Sequence, residues 1–165
     1  MSISERWSAE REALAVDVLR HSGRLRLQVR GESMLPALWP GDVVEIAARS
    51  LPSIRRGEIV FALREDHLFV HRFVARVGAD RFVARGDSMP QADPLYEASA
   101  LLGRIEGVVR NGRTVASPLT WRFRHRALGV LFCHFNLARR LALKLHRWSS
   151  SRGSKFSIAP ESVEI

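Results

Sequence analysis

Hydrophobic and polar positions alternate in short bursts over the middle of this chain, with a period of two. Residues 25–30 (Leu-Arg-Leu-Gln-Val-Arg), 43–47, 59–63, 68–74, 81–84 and 103–110 are rich in β-branched, aromatic and leucine side chains and are bounded by Gly, Pro, Asp and Ser clusters. That pattern predicts strands joined by tight turns. The polar group 64–67 (Arg-Glu-Asp-His), between two apolar runs, predicts a hairpin turn. Residues 1–24 read as one amphipathic helix, with Trp7, Leu14 and Val18 on its apolar side and Glu5, Glu12 and Arg20 exposed. Residues 120–148 read as one or two helices with Leu128, Leu131, Phe132, Phe135, Leu141 and Leu145 on one face. The expected fold class is mainly β (β-rich α+β), a coiled antiparallel domain with helical ends. Four units follow: an N-terminal helix (1–24), a β-domain (25–113), a basic helical segment (114–148) and a flexible tail (149–165).

A length of 165 residues suits one domain with a real core. The net charge of +9 is uneven: residues 1–113 carry 17 arginines against 15 carboxylates, and 114–165 carry nine basic residues against two acidic ones. The basic excess is therefore C-terminal, with Arg122, Arg124, Arg126, Arg139, Arg140, Lys144 and Arg147 at the ends of the apolar face. Three readings compete for it: packing on the domain with a solvated rim, peripheral contact with an anionic membrane, and nucleic-acid binding. The last is the weakest, because no stacking module accompanies the charge. Spanning a bilayer takes about 20 apolar residues, which neither 1–24 nor the run 127–133 supplies. No secretory core is visible, so the expected location is cytoplasmic, with peripheral membrane contact through 120–148 as the variant. The single cysteine, Cys133, excludes an internal disulfide framework and reads as a packing residue. Neither a metal-ligand spacing nor a Gly-rich phosphate loop is present, and no cofactor is expected.

The chemistry concentrates at 31–42, Gly-Glu-Ser-Met-Leu-Pro-Ala-Leu-Trp-Pro-Gly-Asp. Ser33 follows a strand, and Pro36 and Pro40 stiffen the exit, so its backbone is fixed. It reads either as a turn serine or as a nucleophile, which needs a set position and a nearby base. The only lysines are Lys144 and Lys155, far along the chain, and arginine cannot be deprotonated at useful pH. Histidine remains. Of six, His71 alternates onto the strand face of Phe69 and Phe73; it is either a core histidine or the base for Ser33. A carboxylate should orient such a base. The loop Gly86-Asp87-Ser88-Met89-Pro90-Gln91-Ala92-Asp93-Pro94 offers two, of which Asp93 is favoured for His71 and Asp87 for capping the loop. Ser88-Met89 echoes Ser33-Met34, but Pro-Gly-Asp follows only the first copy, so Ser88 is expected to make a loop hydrogen bond.

In order and spacing these segments resemble the signal peptidase I and LexA-like serine peptidase superfamily. Gly31 to Leu38 with Pro40-Gly41-Asp42 is similar to the nucleophile box, in which Met34 and Pro36 support Ser33. Arg56-Gly57-Glu58-Ile59-Val60 resembles the strand that follows. Val70-His71-Arg72 stands where the bacterial enzymes carry lysine and is similar to the histidine variant of endoplasmic-reticulum-type signal peptidases. Gly86-Asp87 through Asp93, then Leu102-Gly103-Arg104-Ile105, resembles the closing box, with Ser88 where many relatives have asparagine. The resemblance covers about residues 25–113, and residues 1–24 look like neither the membrane anchor of signal peptidases nor a helix-turn-helix domain. It implies a β-rich fold and a serine endopeptidase acting on a protein or peptide in extended conformation, with Ser33 as nucleophile, His71 as base and Asp93 orienting it. The alternatives are a catalytically silent peptide-binding protein on the same scaffold and a basic membrane-surface or nucleic-acid-associated protein.

Overall fold

The computed structural model describes residues 3–65, 67–115 and 143–144. Helix α1 (Ile3–Ser22) leads into eight strands: β1 (Arg24–Gln28), β2 (Val43–Ala48), β3 (Ile59–Arg64), β4 (His67–Val77), β5 (Arg81–Arg85), β6 (Tyr96–Glu97), β7 (Leu101–Arg110) and β8 (Arg113–Thr114). They form one sheet in the order β1-β2-β7-β3-β4-β5-β6, with β8 on β7. Every pairing is antiparallel. The domain is thus β-rich and antiparallel with a helix at its N-terminal end. Of the expected segments 114–148 and 149–165, only 114–115 and the helical pair 143–144 are described; Cys133 and the arginines of the basic cluster lie outside the described residues.

Strand β3 explains the coiling. Its run Ile-Val-Phe-Ala-Leu is apolar at every position, which suits a strand buried on both faces. Ile59 and Phe61 enter one core cluster with Ala15, Leu19, Met34, Leu38 and Val44. Val60 and Ala62 enter a second with Leu51, Phe73, Phe82, Ala84 and Tyr96. Successive side chains point to opposite faces, so β3 is the wall between the two clusters. Register shifts at Glu45/Ile46, Phe61/Ala62 and Phe73/Ala75 mark bulges that bend the sheet around each cluster.

Helix α1 differs from its expected orientation. Ala15, Val16 and Leu19 are buried, whereas Leu14 and Val18 face solvent at 51% and 39% exposure. Glu12 is turned inward, where its Oε2 accepts the Leu68 backbone N–H at 2.8 Å. The sequence contains two half-apolar stripes, and the smaller alanine–leucine stripe packs closely against β1 and β2 while the carboxylate bridges to β4. Gly23 ends the helix at φ +70°, donating its N–H to the Leu19 carbonyl at 2.9 Å.

The hairpin turn is also shorter than expected, because His67 already pairs with Arg64 as the first residue of β4. Two short strands were not visible as alternation. Strand β8 returns through Asn111-Gly112, both at positive φ, the conformation that a two-residue hairpin requires. Strand β6 is held by Tyr96.

The buried stripe of α1 can be tested directly. Leu19→Ala should lower stability by about 2–5 kcal/mol, as emptying a core leucine site does, while Leu14→Ala should stay within about 0.5 kcal/mol. Chemical denaturation of both variants reads the contrast.

Candidate active site

Ser33 lies on a loop closed at its neck by two backbone bonds. The Val29 N–H donates to the Asp42 carbonyl at 2.7 Å, and the Gly41 N–H to the Val29 carbonyl at 2.8 Å. Met34, Leu35, Ala37 and Leu38 form a buried plug beneath the serine; the Leu35–Pro36 peptide is cis. The Trp39 indole N–H donates to the Pro36 carbonyl at 2.9 Å. Asp42, itself buried, accepts the Trp39 N–H at 2.8 Å and a two-pronged contact from Arg110 at 2.7 and 2.6 Å. The loop is therefore anchored to β7, and Ser33 sits on a rigid base.

His71 pairs with Val60 across β3 and β4 and shares the face of Phe73, a residue of the second core cluster. Its Nε2 lies 3.0 Å from Ser33 Oγ and its Nδ1 lies 2.6 Å from Asp93 Oδ2. A carboxylate can only accept, so Nδ1 carries the proton; in the neutral ring Nε2 is then the acceptor, and the Ser33 hydroxyl donates to it. The Phe69 ring leans on the imidazole with centroids 5.8 Å apart. Asp93 is fixed at both ends, since its own N–H donates to the Ala84 carbonyl at 2.9 Å and its Oδ2 accepts the Tyr96 hydroxyl at 3.2 Å. Chemically, a hydroxyl bonded to an imidazole whose other nitrogen is held by a carboxylate can lose its proton to that ring as it attacks an electrophile.

Asp87 does not cap the loop. It takes a two-pronged contact from Arg72 at 2.7 and 2.6 Å, and Arg72 also donates to the Gly57 carbonyl at 2.7 Å. Arg72 is 1% exposed, and a charge at that depth needs its carboxylate. Ser88 ties the closing loop to the Ser33 loop, with its Oγ donating to the Glu32 carbonyl at 2.9 Å and its N–H to the Ser33 carbonyl at 2.9 Å. The loops touch at Gly86, where a Cβ would meet the Ser33 carbonyl oxygen at 2.7 Å and Ser33 Cβ at 3.0 Å. Only glycine allows that approach.

Ser33, His71 and Asp93 thus come together, with Met34 and Pro36 below and Asp87 and Ser88 alongside. Arg72 and Tyr96 belong to the same constellation and were not read from the sequence. Arg72 directly follows His71, yet alternation puts it on the opposite face, and an arginine inside a strand gives no sign of its partner. Tyr96 is the chain's single tyrosine, three residues beyond Asp93. Its phenol is pushed up from 10.0 to about 12 by burial first, then by the Asp93 charge and the bond to it, with Arg64 acting in the opposite sense. A cleft of about 480 Å³ opens beside Ser33 and His71, lined by Leu27, Val29, Met34, Phe61, Leu68 and Val70 among others. Among the described residues, no group of three His, Cys, Asp or Glu is arranged to hold a metal ion, and no helix is long and apolar enough to cross a membrane.

Two measurements follow from this geometry. Because the folded chain keeps the Tyr96 proton to about 12 while the unfolded chain releases it near 10.0, its contribution to stability is complete below pH 10 and is lost as pH rises through 12. Tyrosinate absorbance reads this one group, and Asp93→Asn should bring its midpoint down. Asp87→Ala, which strips the buried Arg72 of its carboxylate, should cost about 3–5 kcal/mol in denaturant unfolding.

Among curated proteins no match was found. A family model described as Peptidase S24-like matches residues 3–106, a span that takes in α1, the Ser33 loop, β4, the closing loop and most of β7. With that match over more than half of its length, the chain belongs to the Peptidase S24-like family, within the LexA and signal peptidase-like superfamily.

Proposed function

We propose that this chain is a serine endopeptidase that cleaves an extended segment of a protein or peptide, using Ser33 as nucleophile, His71 as general base and Asp93 to orient the ring. One observation carries the reading: the continuous line from Ser33 Oγ through His71 Nε2 at 3.0 Å and His71 Nδ1 to Asp93 Oδ2 at 2.6 Å. Both distances fall within hydrogen-bond reach of about 2.6–3.2 Å, the range required of a nucleophile and its base. Family membership supports a peptidase-type scaffold. The histidine where bacterial relatives carry lysine supports a likeness to the endoplasmic-reticulum-type variant of the superfamily.

In the proposed reaction Ser33 Oγ attacks the scissile carbonyl as His71 takes its proton, and the C–N bond breaks as His71 returns that proton to the leaving amine. Water then hydrolyses the acyl-enzyme by the same base. Backbone amides around Ser33 are the oxyanion donors. Substrate geometry follows from the cleft walls. On one side stands β1, paired only with β2 among the described residues; on the other stand residues 69–71 of β4, which pair only with β3, the Leu68 amide next to them being taken by Glu12. Two such edges accept an extended chain by backbone pairing. By resemblance to signal peptidases, small residues flank the cut.

In the purified chain a fluorophosphonate should label Ser33, and Ser33→Ala and His71→Ala should each abolish labelling, read by mass spectrometry of the intact protein. Labelling lost in only one of the two sinks the dyad. An unlabelled Ser33 in the folded wild type would leave a peptidase scaffold that binds peptides without turning them over.

A further inference from the structure

We propose that Tyr96 is a positioning residue of this site: its hydroxyl fixes the Asp93 carboxylate against His71 and shares the oxygen on which the imidazole depends. The proposal rests on the Ser33–His71–Asp93 reading and adds a fourth member whose role is exerted through Asp93.

The first observation is that one atom serves two donors. Asp93 Oδ2 accepts both His71 Nδ1–H at 2.6 Å and the Tyr96 hydroxyl at 3.2 Å. The second is that Tyr96 is held in place. Its ring stacks on Phe82 with centroids 5.0 Å apart and planes 11° apart, and Phe82 stacks on Phe73 at 5.9 Å and 24°. Phe73 stands two residues from His71 on the same face of β4. The contacts therefore close a circuit from His71 through Asp93, Tyr96, Phe82 and Phe73 back to β4. Three aromatic rings set the hydroxyl position, and the hydroxyl selects the carboxylate rotamer.

A donor on the carboxylate also spreads its negative charge. With Tyr96 bonded, Asp93 pulls less strongly on the imidazole proton; without it, the whole charge bears on His71. The charged groups around this line are Arg64 at the end of β3, which faces the Tyr96 hydroxyl, and Arg72 beside His71, held by Asp87. Arg11, Glu12 and Arg30 line the cleft onto which Ser33 and His71 open. Substituting the phenol hydroxyl alone leaves each of these side chains in the protein.

The test compares wild type, Tyr96→Phe and protein grown on fluorotyrosine, which replaces Tyr96 alone because the chain has one tyrosine. The first readout is the low-field proton resonance of His71 Nδ1–H, identified by its absence in Asp93→Asn. It should move downfield in Tyr96→Phe, as the bond to Asp93 tightens, and upfield with the more acidic fluorotyrosine. The second is fluorophosphonate labelling against pH. Tyr96→Phe should label about tenfold more slowly, within the range that misplacing a reacting group costs, and the acidic limb of its profile should move to higher pH. A resonance and a limb that stay put in both proteins overturn the proposal and leave Tyr96 as a packing residue. Should wild type not label at all, the peptidase reading fails by itself, and the resonance shift still decides whether Tyr96 acts on the His71–Asp93 bond.

Discussion

A guanidinium sealed inside the domain, that of Arg72, is the constraint on which the site depends. Burying it is tolerable only with Asp87 in two-pronged contact and the Gly57 carbonyl as a further acceptor. Those contacts join three separate pieces of chain: strand β4, the turn before β3 and the loop that closes the site. Since Arg72 adjoins His71 and Asp87 starts the loop that ends at Asp93, the pair sets the distance between imidazole and carboxylate from outside the hydrogen-bonded line. The same loop reaches the Ser33 loop through Ser88, so Ser33, His71 and Asp93 are indexed to one buried ion pair.

Around that pair the two core clusters meet. The Ser33 loop is rooted in the first through Met34 and Leu38, whereas Phe73 and Tyr96, which flank His71 and Asp93, belong to the second. Ser33, His71 and Asp93 come together at the seam, and β3, apolar on both faces, is the wall shared by both sides. Ser33 and His71 therefore stay in register only while both clusters are packed.

The strands were legible wherever alternation or a continuous apolar run covered four or more residues, because burial on one or two faces leaves a direct mark on composition. Strands β6 and β8 left no such mark; two residues are too few for a period, and each is defined by what it pairs with. Helix α1 was legible as a helix but not in its facing. Leu14 and Val18 look like the apolar stripe when hydrophobicity alone is counted, but close packing on β1 and β2 selects Ala15 and Leu19, and Glu12 turns in because the Leu68 amide needs an acceptor. At the site, Ser33, His71 and Asp93 could be named because few residue types can do their chemistry and the chain has no early lysine. Arg72, Asp87 and Tyr96 could not be assigned partners, since a buried ion pair and a shared carboxylate are properties of three-dimensional neighbours and not of spacing.

The Glu12 contact links a helix made at the start of the chain to a strand amide 56 positions later. Other contacts around the site span similar distances, 38 positions for Ser33 and His71 and 68 for Asp42 and Arg110. A domain held by pairings this remote folds slowly, because much loop must close before any contact rewards it. During synthesis Ser33 emerges well before His71, and His71 before Asp93. The Ser33 hydroxyl thus has no imidazole–carboxylate pair beside it until the closing loop arrives, and the order of residues along the polypeptide delays the site until the domain around it is complete.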